Sequence, residues 1–117
     1  MAVYLKRAYE QASNDDGYRV LVDRLWPRGM DRQMLALDEW CKSIAPSDQI
    51  RKAFHHGDID WAAFRKAYMA ELKQQRETVR PLARLARRRR ITLVYSAKDP
   101  EHNNAVVLRQ YLGMLGA

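Results

Sequence analysis

Apolar and polar positions along this 117-residue chain follow two periods, and each predicts its own kind of element. From Val3 to Ala8 the residues alternate, Val3, Leu5 and Arg7 against Tyr4, Lys6 and Ala8, which predicts a strand with one wetter face near a sheet edge. Arg19 to Leu25 contains the unbroken apolar run Val20, Leu21, Val22, and Ile91 to Tyr95 is similarly apolar. Runs of this kind suit strands buried on both faces of a sheet. A turn cluster, SNDDG at Ser13 to Gly17, separates the first two strands, and their link of about nine residues allows parallel or antiparallel pairing.

Between Ala36 and Arg90 the spacing changes to three and four. Leu37, Trp40, Cys41 and Ile44 predict a short helix stopped by Pro46. Ser47 then caps a second helix with Ile50, Ala53 and Phe54 inward, ended by His55, His56 and Gly57. Asp58 or Asp60 opens a long helix whose stripe is Trp61, Phe64, Tyr68, Leu72 and Gln75 or Val79. Pro81 suits the first turn of the next helix, with Leu82, Leu85 and Ala86 inward. After the last strand, Asp99, Pro100 and Glu101 read as cap, proline and acid at the start of a helix running through Leu108, Leu112 and Leu115. The sum is a single α/β domain over residues 1–117, a small, mostly parallel sheet of about three strands packed with about five helices in Rossmann-like layering.

Composition narrows the class. With 47% apolar and 30% charged residues the chain is globular, and at this length it buries roughly two thirds of its unfolded surface. No apolar stretch approaches the roughly 20 residues of a membrane span, and the amino-terminal residues lack an apolar signal core, so a cytoplasmic protein without membrane contact is expected. One cysteine, Cys41, cannot form an intramolecular disulfide, and no zinc-type spacing accompanies it. His55 and His56 are adjacent and diverge by about 100° on a helix, so neither metal nor cofactor is expected.

The net charge of +7 favours anionic partners. Arg80, Arg84 and the run Arg87 to Arg90 put six positive charges within eleven residues. The simpler reading is the solvated end of a helix, where cations complement the dipole. The alternative is a footprint for nucleic acid or an acidic partner on Arg84, Arg87, Arg88, Arg89 and Arg90, disfavoured because no aromatic residue is interleaved for base stacking.

Chemistry gathers where the two apolar strands end. VLVDRLWPRG, from Val20 to Gly29, breaks from an apolar run into Asp23, Arg24, Trp26 and Arg28, and the last strand ends in Ser96, Lys98 and Asp99. In open α/β sheets ligands sit beyond the carboxyl ends of strands, so these loops should share one crevice with the start of the final helix. Arg24 and Arg28 offer planar forks, Lys98 a point charge, and the helix amino end free amides, which together suit a small phosphate- or carboxylate-bearing ligand. Trp26, Ser96, Asn103 and Asn104 complete the candidate binding set, while Asp23, Asp99 and His102 are the candidate acid/base groups. The competing reading has Asp23 and Asp99 pairing with the cations to brace the loops, with Asp99 a plain helix cap. Asn104 falls on the inward stripe and must find polar partners there, either the backbone after the second strand or the ligand. Tyr68 and Glu71 lie beside the buried stripe, Glu71 as a candidate partner for a loop arginine.

Four segments, GYRVLVDRLWPRG at Gly17 to Gly29, W-x-x-x-I-A-P-S at Trp40 to Ser47, F-R-x-x-Y-x-x-E-L at Phe64 to Leu72 and T-L-V-Y-S-A-K-D-x-x-H-N-N-A-V-V-L at Thr92 to Leu108, resemble the YeaO-like proteins, a bacterial family of unknown function. The resemblance spans nearly the whole chain and implies a small cytoplasmic α/β domain with no established activity. Asp23, Arg24, Trp26, Pro27, Arg28, Gly29, Ser47, Tyr68, Glu71, Lys98, Asp99, His102, Asn103 and Asn104 match its pattern. Longer relatives in the wider family carry a Cys-His pair near the position of His102 to Asn104, and this chain has none there, so the resemblance implies no thiol mechanism.

Overall fold

Four parallel strands make the sheet in the computed structural model, which describes residues 2–117. They are β1 (Val3–Arg7), β2 (Tyr18–Leu21), β3 (Glu39–Trp40) and β4 (Ile91–Tyr95), in the spatial order β1-β4-β2-β3. All five residues of β4 are buried, which is why its sequence lacks alternation. Val3 pairs with Ile91 on one side of it and Tyr18 with Ile91 on the other, so the first two strands are both parallel to β4 and never pair with each other.

Five α-helices lie among the described residues: α1 (Arg32–Leu35), α2 (Asp48–His55), α3 (Trp61–Gln74), α4 (Arg76–Arg88) and α5 (Asn104–Met114). Val20, Val22, Leu93 and Tyr95 form one sheet face and pack with the inward residues of α3, α4 and α5 in the main core. The opposite face is thinner. There Leu21, Val94 and Ala8 meet Leu35 of α1, with Met30, Leu37 and Trp40 around them. The α/β class and parallel sheet are as the sequence predicts, with one strand more.

That extra strand replaces the helix predicted at Leu37 to Ile44. Asp38 donates its amide to the Arg19 carbonyl at 2.9 Å and Cys41 to that of Leu21 at 2.9 Å, so the free edge of β2 recruits Glu39 and Trp40 as β3. Leu37 and Trp40 then serve the thin face while Cys41 and Ile44 serve the main core, a division that no single helical stripe can make. A 3-10 turn, Lys42–Ile44, follows. Two further boundaries differ. The long helix breaks at Gln75, and Val79 belongs to α4, so Pro81 lies inside that helix on its exposed side instead of opening it. Helix α5 starts at Asn104, capped by the Asn103 side chain accepting from the Val106 amide at 3.0 Å, whereas Asp99 caps only a turn by accepting from the amides of Glu101 and His102.

At the amino ends of the strands, Asp16 accepts from Arg19 at 2.7 Å and Lys6 at 3.1 Å, and Arg19 spends its other nitrogens on the Leu35 carbonyl at 2.7 and 3.0 Å. Burial alone would raise the Asp16 pKa, but the Ser13 amide, Lys6 and Arg19 outweigh it and hold the carboxyl below its usual range. An acid depressed on folding contributes stability that is complete above about pH 4 and is lost as pH falls through the lower folded value. Asp16→Asn should therefore lower stability at neutral pH and flatten the acid limb of the urea midpoint plotted against pH.

Candidate functional site

Beyond Leu21 the chain keeps one more sheet bond, the Val22 amide to the Val94 carbonyl at 3.0 Å, and then Asp23 turns away from it. The Asp23 carboxylate accepts from the Ser96 amide at 2.9 Å, which ties the end of β2 to the end of β4. Asn104 closes the triangle: its side-chain amide donates to the Val22 carbonyl at 2.9 Å and to Asp23 Oδ1 at 3.0 Å. Burial raises the Asp23 pKa, and the bonds from Asn104 and Ser96 and the charge of Arg51 offset it only in part. Asn104→Ala would orphan a backbone carbonyl and half of that carboxylate. It should cost about 2 kcal/mol in urea unfolding.

Arg24 is occupied with structure. Its Nε and Nη2 donate to the Pro46 and Ala45 carbonyls at 3.0 and 3.1 Å. The same I-A-P-S segment receives two bonds from α3: Tyr68 donates its hydroxyl to the Ile44 carbonyl at 2.7 Å, and Glu71 accepts from the Ser47 amide at 2.9 Å. Glu71 thus holds backbone and pairs with no loop arginine, because the Ser47 amide lies within its reach and needs an acceptor. Trp26 anchors the other loop by donating Nε1 to the Met30 carbonyl at 2.6 Å and setting its ring edge-on to Trp40 at 5.4 Å. Trp40 in turn donates to the Asp23 carbonyl at 2.7 Å.

These braces frame a cleft of about 540 Å³ at the carboxyl ends of β2 and β4. Asp23, Ser96 and Asn104 lie along it with Trp26, Pro27 and Arg28 from the β2 loop, while α2 contributes Arg51, Phe54 and His55 and α3 contributes Phe64. His102 and Asn103 complete it on the α5 side, with Tyr9 and Leu25 also in the lining. Of the ten residues predicted from sequence, the cleft brings together Asp23, Arg24, Trp26, Arg28, Ser96, His102, Asn103 and Asn104. Lys98 and Asp99 do not line it: both are exposed, and the turn that Asp99 caps carries them outside.

The charged side chains along the cleft are mostly cationic. Among the described residues of the lining, Asp23 is the one carboxylate, and its proton affinity is raised. Against it stand three arginines. Arg24 is committed to carbonyls, but the Arg28 guanidinium makes no hydrogen bond among the described residues, and Arg51 spends Nη2 on Asp48 at 2.9 Å while its buried Nε has no partner. His102 Nδ1 lies 3.0 Å from Asp99 Oδ2, which orients the imidazole at the cleft edge, with the Trp61 ring 5.0 Å away.

Arg51, Phe54, His55 and Phe64 were not part of the predicted site. The two phenylalanines sit on apolar stripes and read as core, and Arg51 carries no sequence signal because only the docking of α2 brings it beside Asp23. Cys41 is remote from this chemistry. It lines a separate hollow with Glu39 and Arg88, and burial together with the Glu39 carboxylate pushes its thiol up to about 12. The described residues contain no cluster of three metal-ligating side chains, and none of their helices is long and apolar enough to cross a membrane.

A family model described as "Inactive DUF488-N3 subclade" matches residues 2–115. The chain is 50% identical over 115 residues to the uncharacterized protein YeaO of Escherichia coli, a match covering 98% of this chain and 100% of that protein. Uncharacterized proteins of Mycobacterium tuberculosis and Mycobacterium bovis are 36% identical over 110 residues, 94% of this chain and 92% of each relative. No solved structure matches the chain.

Proposed function

The chain belongs to the YeaO-like proteins, within the inactive DUF488-N3 subclade, and on that footing we propose that it binds a small phosphate- or carboxylate-bearing ligand in the cleft beyond β2 and β4. The observation that carries this reading is a pair of arginines with donors to spare: the Arg28 guanidinium makes no hydrogen bond among the described residues, and Arg51, though paired with Asp48 through Nη2, has a buried Nε without a partner. Arg28 and Arg51 border a cavity whose one carboxylate, among the described residues of its lining, is the half-buried Asp23, which burial makes a weaker acid than usual. Apolar walls from Trp26, Phe54 and Phe64 leave room for a flat or hydrophobic body beside the anion. The family's description as inactive agrees with binding in place of turnover, and the one thiol of the chain lies outside the cleft.

A thermal-shift screen tests this with inorganic phosphate, pyrophosphate, citrate and a set of phosphorylated and carboxylated metabolites. A ligand at a hundred times its Kd should stabilise the protein by about 2.7 kcal/mol, and that gain should fall to about 0.4 kcal/mol in the double variant Arg28→Gln, Arg51→Gln. A screen in which no anion stabilises the wild type, or in which the double variant responds equally, would overturn the proposal.

Acid/base turnover is the second reading, and one contact favours it. With Nδ1 held by Asp99, the other imidazole nitrogen of His102 is left to exchange a proton with a ligand in the cleft. Product formed by the wild type and lost in His102→Ala, with ligand affinity retained, would establish turnover. An unchanged ligand after prolonged incubation would leave binding as the function.

A further inference from the structure

The excess positive charge of the chain is confined to one layer of the fold. Helices α3, α4 and α5 carry nine Lys and Arg against Glu71 and Glu77, a surplus of seven that equals the net charge of the whole chain, so the remaining residues balance at twelve against twelve. Both glutamates are engaged, Glu71 by the Ser47 amide and Glu77 by Arg80 at 3.6 Å. All three helices turn their apolar residues into the same core, and their cations are exposed apart from the half-buried Arg80. The densest part is a ridge on α4: Arg76, Arg80, Arg84 and Arg88 recur every fourth residue, about 6 Å of rise apart with about 40° of drift per step.

The ridge is not the run that stands out in the sequence. Arg87 donates to the Gly116 and Leu115 carbonyls at 3.0 and 3.1 Å, Arg90 donates to the Asp15 carbonyl and lies over the Tyr4 ring, and Arg89 lies over Tyr18. Those three brace the chain terminus and the strand ends. We propose that the outer face of the helical layer, led by Arg76, Arg80, Arg84 and Arg88, binds the phosphate backbone of duplex DNA without reading its sequence. The aromatic residues of these helices turn inward or stay half-buried, Phe64, Tyr68 and Tyr111 in the core and Trp61 against it, so the face offers phosphate contacts but no platform for unpaired bases. This surface is independent of the cleft, whose cations lie on α2 and the β2 loop.

Fluorescence anisotropy with two mixed-sequence duplexes, from 50 to 200 mM NaCl, tests it. Four phosphate contacts predict a slope of log K against log salt of about −3.6, equal affinity for both duplexes, and a slope reduced by about 1.8 in Arg84→Gln, Arg88→Gln. Arg84 and Arg88 are exposed, and Arg76→Gln, Arg80→Gln should give the same reduction as an independent check. A flat salt response, a slope unchanged in both double variants, tighter binding of single-stranded DNA, or polyglutamate competing as well as duplex DNA would each overturn the proposal.

Discussion

Gly17→Ala should cost about 4 kcal/mol of unfolding free energy, from backbone strain and overpacking together. Gly17 has φ 67° and ψ −133°, a conformation that a side chain resists, and an added Cβ would run into the Arg90 carbonyl oxygen. That oxygen has no freedom to retreat, because it accepts the Tyr18 amide at 3.0 Å at the start of β2. Nor can the preceding residue shift, since the Asp16 carbonyl accepts the Thr92 hydroxyl at 2.7 Å. Gly57 supplies the control: its φ is 79°, but nothing lies near its missing Cβ, so Gly57→Ala should cost only about 1 kcal/mol. Urea denaturation of the two variants separates strain from collision, and equal losses would contradict the tight approach of Gly17 to Arg90.

The double variant Arg28→Gln, Arg51→Gln should lose about 100-fold in affinity for whichever anion stabilises the wild type, since two charge-assisted donors are worth about 3 kcal/mol together. Its unfolding midpoint should barely move. Arg28 is exposed and unpaired, and the Arg51 contact with the well-exposed Asp48 is of the kind that contributes little. Arg24→Gln makes the opposite prediction. Losing the Ala45 and Pro46 carbonyls should lower stability first, and affinity only as the cleft wall loosens. Urea melts and calorimetric titration on the three proteins would distinguish the gripping arginines from the bracing one.

Long signals in the sequence carried through to the structure, and short ones did not. The apolar runs at Val20 to Val22 and Ile91 to Tyr95 predict strands whose ends share a crevice, because burial on both faces leaves an unbroken pattern in the chain. Asn104 is legible for a related reason, as a polar residue on an apolar stripe, and it takes the backbone-tying role at Val22 while also holding Asp23. The two-residue β3 is not legible, since the free edge of β2 and not a local pattern decides it. The start of α5 misleads because Asp99 and Asn103 are both good caps, and the side-chain bond of Asn104 to Val22 selects the later one. Arg51 is silent in sequence, being one arginine on a short amphipathic helix until α2 rests on α3.

Nitrogen-edited NMR of the labelled protein, titrated with pyrophosphate and separately with citrate, tests the central claim of an anion site most directly. The cleft reading predicts saturable shifts in the non-proline amides of Asp23 to Gly29, Arg51 to His55 and Ser96 to Asn104, each needing about 100-fold more anion in the Arg28→Gln, Arg51→Gln protein. Shifts confined to the arginines of α4, or no saturable shift with either anion, would contradict it.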